Sequence, residues 1–328
     1  PVYSRRIFMY QKVTTLTEYL LQEEQKFEKA TGSFTLLMTT IENAAKIISS
    51  HIRRNGLVDL MGSTNKKNIF QEDVQKLDEF ADITIAQSLE ACGQVYAYSS
   101  EEMDQPKFLP KNHGEYVVFY DPLDGSNNID VNINIGTIFS IYHKSKNLLI
   151  PGSNQVAAGY ISYGPSVMFV YTSGSGVNGF TLDPSIGAFL LSHPNMKIPK
   201  SGNIYTINES YFPFYPEYLQ RYLKYIKVKK NPYTLRYATV MVADVHRILC
   251  KGGIFLYPEN SKAPKGKLRL LYEVNPMSFI MQQAQGSCFS MGKHPLSITP
   301  ESFESRVPIA LGSKEQIDEF AKYYDSRI

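Results

Sequence analysis

The stretch VVFYDPLDGSNNID, residues 117–130, changes abruptly from apolar residues to acids and turn formers. The apolar run 117–120 predicts a buried strand. The run stops at Asp121, and a second carboxylate, Asp124, follows three residues later. The end of the strand therefore presents two acids on one side, with the carbonyl of Leu123 between them. Carboxylate and carbonyl oxygens are the ligands that a hard cation such as Mg²⁺ prefers.

The residues around these acids favour a turn. Pro122 fixes φ and removes a backbone donor, Gly125 permits a tight turn, and residues 125–128 offer successive N–H groups to a phosphate. Asp, Pro and Gly are also ordinary turn residues, so an isolated DxxDG pattern indicates no more than a strand-to-turn junction. Two adjacent carboxylates repel unless a cation or a shared proton compensates. After a continuous apolar strand and before Ser-Asn-Asn, we interpret the pattern as a site.

Composition places the chain among globular proteins. Its 328 residues are 43% hydrophobic and 20% charged, with a formal net charge of +3. The densest basic patches, such as 227–230, are too short to predict nucleic-acid binding. No apolar segment approaches the roughly 20 residues of a membrane span, and no signal-peptide core follows residue 1. Three cysteines without a CxxC pair indicate free, mostly buried thiols in a reducing compartment.

The order of predicted elements indicates an α+β architecture. Apolar spacing predicts a helix from Phe34 to Ile52, a polar loop over 57–70 and a helix over 73–91. Strands then dominate, and from about residue 195 strands alternate with helices, so we place a domain boundary near 194–202. The predicted later elements are strands at 116–120, 131–142, 156–162, 167–172 and 253–257 and helices at 216–226, 240–250 and 276–285.

Acids also stand at the ends of other apolar segments. Glu101 and Glu102 follow a Tyr-Ala-Tyr-Ser-Ser stretch, although adjacent glutamates are usually solvated. Glu273 ends the apolar run 268–272, which we predict to be a strand. Three predicted strands therefore halt at an acid.

The helix predicted over 73–91 carries an acid on its apolar stripe. Asp78 lies there, and because acids are almost never buried without a partner, it lies either at the edge of the stripe or facing a charged site. Glu72 lies near the start of this helix, where the helix dipole alone also favours an acid. We predict that His246 and His294, each a lone histidine in its segment, are structural residues rather than ligands.

Several long segments resemble one family. The chain is similar to fructose-1,6-bisphosphatases of class 1, within the metal-dependent sugar-phosphate phosphatases that include inositol monophosphatase. The resemblance rests on NIFQEDVQKLD (68–78), SSEEMD (99–104), VVFYDPLDGSNNIDVNINIGTIFSIY (117–142), VAAGYISYG (156–164), GVNGFTLDPSIGAF (176–189), YTINESY (205–211), RYATVMVADVHRIL (236–249), GGIFLYPENSKAPKGKLRLLYEVNPM (252–277) and VPIALGS (307–313). It covers roughly residues 30–325 in family order.

The resemblance implies a layered α/β/α/β/α sandwich with two domains, assembled as a homotetramer. Residues 1–197 would form an AMP-type allosteric domain that carries most metal ligands, and residues 198–328 the substrate domain. The implied reaction, a step of gluconeogenesis, is hydrolysis of the 1-phosphate of fructose 1,6-bisphosphate. It requires two or more ions of Mg²⁺, with Mn²⁺ or Zn²⁺ as alternatives.

The resemblance also assigns residues to roles. The implied metal ligands are Glu72, Glu101, Asp121, the carbonyl of Leu123, Asp124 and Glu273. The implied catalytic residues are Asp124, together with Asp78 and Glu102, which would position and deprotonate the attacking water. The implied substrate-binding residues are Gly125, Ser126, Asn127, Asn208, Tyr211, Arg236 (from a neighbouring subunit), Tyr237, Met241, Asp244, Tyr257 and Lys267. The implied AMP site consists of Thr31, Gly32, Ser33, Phe34, Thr35 and Tyr116.

The sequence departs from the family in the AMP site and the phosphate loop. Two basic partners of the AMP phosphate in animal members correspond here to Glu115 and His143, so we expect an altered site. Asn127 stands where the family usually has serine, and because both side chains donate hydrogen bonds we expect activity to be retained. The loop 57–70 matches a segment that closes over the active site.

Two other functions compete with this interpretation. One is another phosphatase of the superfamily, such as a sedoheptulose-1,7-bisphosphatase or an inositol phosphatase. The other is a sensor that has lost catalysis, but the acids it would lack are present. We expect a cytoplasmic protein, with a peroxisome-like organelle (a glycosome) as the alternative if Ser326-Arg327-Ile328 acts as a variant of the Ser-Lys-Leu address.

Overall fold

The computed structural model describes residues 13–26, 30–54, 69–109 and 114–326, and for residues 69–76 it describes the backbone only. Three predictions fall at least partly outside these residues. They concern residues 57–68 of the closing loop predicted over 57–70, the side chain of Glu72, and the last two residues of the C-terminal tripeptide. In the described part of the chain, no helix combines the length and the apolar character that a membrane crossing requires.

Helices and strands alternate in blocks along the described residues. The helices are α1 (Leu16–Glu24), α2 (Ser33–Ile52), α3 (Ile69–Ala91), α4 (Glu217–Val228), α5 (Met241–Lys251), α6 (Asn275–Gln283) and α7 (Lys314–Asp325). The strands are β1 (Val95–Ser100), β2 (Lys107–Phe108), β3 (Tyr116–Asp124), β4 (Ile135–His143), β5 (Gln155–Tyr163), β6 (Val167–Thr172), β7 (Val177–Asp183), β8 (Ala188–Met196), β9 (Ile204–Thr206), β10 (Thr234–Leu235), β11 (Ile254–Tyr257), β12 (Ser287–Phe289) and β13 (Ile309–Gly312).

The strands of the described residues form two sheets. The larger has the order β2-β1-β3-β4-β5-β6-β7-β8, and the smaller has the order β10-β9-β11-β13-β12. From β3 onwards the larger sheet is an antiparallel meander, whereas β1 pairs parallel to β3. The carboxyl ends of β1 and β3 therefore lie at one edge, which brings the residues that follow them together.

The described residues form four hydrophobic clusters, and three of them lie between the main layers. One lies between α1–α3 and a face of the larger sheet, and the second lies between its other face, α5, α6 and the smaller sheet. The third joins the smaller sheet to α4 and α7. The predicted α+β sandwich with alternating helix and sheet layers is confirmed.

Local sequence accounts for the helix starts that matter for the site. Thr15 and Glu18 form a reciprocal capping box at the start of α1. Gly32 precedes α2 with φ 79°, a left-handed conformation that favours glycine. The apolar stripe predicted from Phe34 is the buried face of α2, which includes Leu37, Met38 and Ile41.

Three predicted elements were wrong in part. The helix predicted from residue 73 begins at Ile69. Residues 131–134 alternate like a strand but form a turn, because Asn132 adopts φ 56° and the amide of Ile133 donates to the preceding turn. The run 268–272 is not a strand: Leu270–Val274 is a π-helical turn, in which the amide of Val274 donates to the carbonyl of Arg269.

Candidate active site

Strand β3 carries the two aspartates of residues 117–130 to the edge of the larger sheet. Asp121 is buried, and its carboxylate accepts a hydrogen bond from the amide of Leu123 at 3.0 Å. Gly125 adopts φ 80°, and a Cβ there would lie 2.5 Å from a methyl group of Val240. The turn after Asp124 therefore requires glycine, as predicted.

Two further acids reach Asp121 from other elements. Glu101 follows β1, and its amide donates to the carbonyl of Tyr120 at 2.9 Å, beside Asp121 in the parallel pairing. Glu273 lies in the π-helical turn, where its carboxylate accepts the amide of Arg269 at 2.6 Å. One oxygen from each of Glu101, Asp121 and Glu273 lies within 4.8 Å of the other two. We call these three residues the acidic cluster.

The acidic cluster is electrostatically costly without a cation. Burial raises the pKa of Asp121 and Glu273 well above the usual range, and repulsion from Glu101 adds to the shift of both. Burial also raises the pKa of Glu101, while the charge of Arg269 opposes that shift. Clustered carboxylate oxygens are the donor set of a hard divalent ion, which would remove the repulsion. The residues present therefore fit an ion of the Mg²⁺ type.

Arg269 is a neighbour of the cluster that the sequence analysis missed. Its Nε lies 3.0 Å from Oε1 of Glu101, an ion pair outside hydrogen-bond geometry, and its Nη1 donates to the carbonyl of Glu101 at 2.8 Å. Nη1 also donates to Glu304 at 2.9 Å. The signal that could have identified Arg269 in the sequence is its position, as a cationic residue inside the apolar run 268–272 that ends at Glu273.

Asp124 faces the start of α5 as well as the cluster. Its carboxylate accepts the amides of Val242 at 2.6 Å and Met241 at 3.4 Å. Burial raises the pKa of Asp124 to about 7, whereas these two amides lower it. A carboxylate at a helix N-terminus is a stabilising arrangement. In this structure Asp124 links the larger sheet to the helix behind it.

Asp78 faces the charged site, one of the two alternatives left open by the sequence. Burial, and then the negative charge of Glu102, raise its pKa to about 6, and a hydrogen bond with Ser126 opposes the shift. Helix α3 is fixed to β3 close by, because the hydroxyl of Tyr120 donates to Asp82 at 2.9 Å. Asp78 thus contacts the turn after Asp124 and is close enough to Glu102 and Glu101 to be affected by their charges.

That turn is a 3-10 helix, Ser126–Asn128, preceded by Gly125. The side chain of Asn128 donates to the carbonyl of Gly125 at 3.2 Å and accepts from the hydroxyl of Thr239 at 3.0 Å. Asn127, the residue that departs from the family, is exposed. The backbone of the turn is therefore held from both sides and presents its N-terminal end beside Asp78.

A separate polar pocket of about 80 Å³ lies in the second half of the chain. Of the predicted substrate residues it brings together Asn208, Tyr211, Tyr257 and Lys267. The ammonium of Lys267 lies 5.0 Å from the ring centroid of Tyr211. The sequence analysis missed four of the residues that line the pocket, namely Tyr215, Leu256, Pro258 and Asn260.

The other predicted substrate residues take different positions. Tyr237 forms a hydrogen bond with Asn208, at the edge of the pocket. Asp244 is buried and both of its oxygens accept the amide of Ala238 at 3.0 Å, so it orders the loop before α5. Arg236 donates to the carbonyl of its own neighbour Leu235, and Met241 is buried.

Comparison with known proteins gives the family. The model described as Fructose-1-6-bisphosphatase, N-terminal domain matches residues 14–194, and the model described as Fructose-1-6-bisphosphatase, C-terminal domain matches residues 198–325. The chain belongs to the fructose-1,6-bisphosphatase family. Both the resemblance drawn from the sequence and the predicted enzyme class, a phosphatase, are therefore confirmed.

Relatives and solved structures match nearly the whole chain. Fructose-1,6-bisphosphatase class 1 of Persephonella marina is 49% identical over 96% of this chain and 99% of its own. The corresponding protein of a Sulfurihydrogenibium species is 48% identical over 92% and 95%. The holo form of Leishmania major fructose-1,6-bisphosphatase superposes with a TM-score of 0.89 at 36% identity, over 96% of this chain and 100% of that one.

This member of the fructose-1,6-bisphosphatase family has a second cavity, of about 470 Å³, between α1, the start of α2 and the larger sheet. The predicted AMP residues that line it are Thr31, Gly32, Phe34, Thr35 and Tyr116. His143, one of the two departures from the family, stacks on Tyr116 with ring centroids 5.6 Å apart. The sequence analysis missed Glu24, which accepts the hydroxyl of Thr35 at 2.6 Å and places a carboxylate in the cavity.

Proposed function

We propose that this chain hydrolyses the 1-phosphate of fructose 1,6-bisphosphate to fructose 6-phosphate and phosphate. The observation that carries the proposal is the position of the acidic cluster beside the turn Ser126–Asn128, in a chain with a second, cationic pocket at Lys267. One phosphate of the substrate would lie at the turn and the other in the pocket. A sugar with two phosphates can occupy both the turn and the pocket, whereas an inositol monophosphate can occupy only one of them.

Glu101, Asp121 and Glu273 would hold the divalent ion, with Glu72, the carbonyl of Leu123 and Asp124 as further proposed ligands. A bound ion of this kind neutralises phosphoryl oxygens and lowers the pKa of a bound water. Metal dependence, and the identity and number of ions, belong to this proposal. Its support is the oxygen-only donor set and the raised pKa of Asp121.

Side chains and amides of this chain would position the water and bind the 1-phosphate. Asp78 and Glu102 would orient the attacking water, and Asp78, whose pKa of about 6 lies close to neutral, would accept its proton. The amides of Gly125 and Ser126, with Asn127, would bind the 1-phosphate.

The second phosphate would be bound by donors from the smaller domain. Asn208, Tyr211, Tyr237, Tyr257 and Lys267 would bind the 6-phosphate through amide, phenol and ammonium groups. Arg236 would reach the site from a neighbouring subunit of a homotetramer. The main chain at Met241 and the region of Asp244 would border the sugar.

The cavity behind Gly32 is proposed to bind AMP as an allosteric inhibitor. Its support is the start of a 20-residue helix, where free amides favour an anion, next to Tyr116. Residues 1–197 would then be the regulatory domain with most metal ligands, and residues 198–328 the substrate domain. An inhibition curve tests this part: no inhibition at millimolar AMP would refute it.

A phosphate-release assay tests the reaction. With Mg²⁺ present, turnover should be faster on fructose 1,6-bisphosphate than on sedoheptulose 1,7-bisphosphate or inositol monophosphate. Asp121→Ala should abolish turnover, and Asp130→Ala, an exposed aspartate in the same stretch, should not. Retained turnover in Asp121→Ala would refute the assignment, and preference for another substrate would favour the alternative phosphatases. A place in gluconeogenesis and a cytoplasmic or glycosomal location remain predictions.

A further inference from the structure

Helix α5 carries a thiol and an imidazole close together near its C-terminal end. Sγ of Cys250 lies 3.7 Å from Nε2 of His246, one helical turn earlier. Cys250 is exposed, whereas Cys288 is buried and Cys92 is partly buried. The pair begins at His246, roughly 6 Å along the helix from Val242, whose amide binds Asp124, and Cys250 lies roughly 12 Å from Val242. The pair is therefore separate from the acidic cluster.

The imidazole of His246 is held in place from behind. Its Nδ1 lies 2.8 Å from the hydroxyl of Tyr160, and the two rings pack edge to face. Tyr160 is fully buried, and burial raises its pKa well above the usual range, so the phenol stays neutral. Burial, assisted by repulsion from His193, lowers the pKa of His246 to about 4. At neutral pH the imidazole is uncharged, the form in which histidine binds metals.

The register of the larger sheet places another imidazole on the same face. Tyr160 pairs with Val170, Val170 with Gly179 and Gly179 with His193. Residues paired in this way across antiparallel strands point to one face. Gly179 itself contributes no side chain to this face, and the position that its Cβ would take is bordered by the Cβ of His193, the sulfur of Met196 and the terminal methyl group of Met168. His193 is exposed, and its Nδ1 lies 2.8 Å from the hydroxyl of Ser192.

We propose that Cys250 and His246, completed by His193, bind a thiophilic divalent cation such as Zn²⁺. Bonds of about 2.3 Å to sulfur and about 2.05 Å to nitrogen at a tetrahedral angle separate the two atoms by about 3.5 Å, close to the distance found here. Histidine and cysteine one turn apart on a helix thus already present two ligands. A second contact to the outer ring nitrogen, here from Tyr160, is the usual support of a metal-bound histidine.

Metal binding at this site would remove the proton of the Cys250 thiol and fix the position of the proton on the His246 imidazole. The thiol of Cys250 loses its proton to solvent, because the thiolate is the ligand. Although Cys250 is exposed as a residue, desolvation by the atoms around its sulfur raises the pKa of this thiol, so the free protein holds that proton at neutral pH. His246 takes the tautomer in which Nδ1–H donates to Tyr160 and the lone pair of Nε2 faces the metal. Among the described residues only the acidic cluster has three ligand atoms within 4.8 Å of one another, so His193 has to rotate towards the pair.

Cobalt substitution provides the test, because a cobalt–thiolate bond has a charge-transfer band that carboxylate ligands lack. Co²⁺ added to the purified, full-length protein should produce this band, and Zn²⁺ should remove it by competition. The band should be absent in Cys250→Ser and retained in Cys92→Ser, the matched control. His193→Gln should weaken Co²⁺ binding at this site about tenfold or more.

Mass spectrometry after alkylation gives a second measurement. Zn²⁺ should protect Cys250 from alkylation and leave the reactivity of Cys92 unchanged. Absence of the band in the wild-type protein, its survival in Cys250→Ser, or equal binding by His193→Gln would overturn the proposal. Phosphatase activity of Cys250→Ser at the wild-type level would show that the variant is folded. The inference does not rest on the proposed reaction, since its signal comes from sulfur ligation.

Discussion

The Nε atom of Arg269 lies 3.0 Å from Oε1 of Glu101, so a guanidinium borders the acidic cluster. The two side chains are 17% and 22% exposed, which leaves the pair only partly screened by water. The same guanidinium bonds to Glu304. In the metal-free protein this cation is therefore a compensating charge for the buried acids.

Replacing that cation should destabilise the metal-free protein most. We expect Arg269→Gln to lower the free energy of unfolding by about 2 kcal/mol in EDTA, because buried carboxylates lose a partner. Saturating Mg²⁺ should remove most of the difference, and Arg269→Lys, which keeps the charge, should lose less. Urea unfolding in both buffers measures this. An equal loss with and without Mg²⁺ would instead indicate lost packing.

Asp121→Asn should have opposite effects on activity and stability. The amide oxygen can still accept the hydrogen bond from Leu123, while one buried negative charge is removed. We expect phosphatase activity to fall by roughly a thousandfold or more, since a proposed metal ligand is lost.

The stability of Asp121→Asn should change with the opposite sign. In EDTA its melting temperature should exceed that of the wild type, because repulsion with Glu101 is relieved. Mg²⁺ should raise the melting temperature of the wild type more than that of the variant. A variant that melts lower than the wild type in EDTA would contradict this account of the cluster.

The pocket at Lys267 should control substrate affinity rather than the chemical step. We expect Lys267→Ala to raise KM for fructose 1,6-bisphosphate about tenfold with little change in kcat, because an ammonium–phosphate contact is lost far from the reacting bond. Lys265→Ala removes another exposed lysine from the same loop and is the matched control. Steady-state kinetics measure both. A similar rise of KM in the two variants would point to general charge rather than this pocket.

The proposed AMP site in the second cavity should gain affinity for AMP when the charge of an exposed acid next to Tyr116 is reversed. We expect Glu115→Lys to lower the AMP concentration for half inhibition about fivefold, since a repelling carboxylate is replaced by a cation near the phosphate. Glu217→Lys makes the same change of net charge on α4 and should leave inhibition unchanged. If both variants respond alike, the site of AMP action lies elsewhere.

The acids of the candidate site were foreseeable where an acid interrupts or ends an apolar segment of the sequence. Asp121 interrupts a run of buried residues, and Asp78 interrupts an apolar helical stripe, so both violate a pattern that burial otherwise enforces. Glu273 was identified from a wrong secondary structure: it lies in a π-helical turn, not at the end of a strand. The acid was informative even though the backbone prediction failed.

Other parts of the two sites carry little local signal. A cation inside an apolar run marked Arg269 without showing that it borders the acidic cluster, only the family resemblance pointed to His143, and the sequence analysis did not identify Glu24 as lining the second cavity. Their neighbours in space come from distant segments of the chain, as when Arg269 contacts Glu101, 168 positions away. The same holds on α5, where the hydroxyl of Tyr160 contacts the imidazole of His246. Such contacts depend on how layers stack.

The sequence by itself determined the layered α+β class, the strand that ends at Asp121 and the glycine of the following turn, because burial periodicity and steric limits on φ act over a few residues. Only the tertiary structure decided which acids meet. Parallel pairing of β1 with β3 brings Glu101 beside Asp121, and the amides of α5 bind Asp124. Charge interactions depend on distance through space and on desolvation, and both are fixed only when the layers pack.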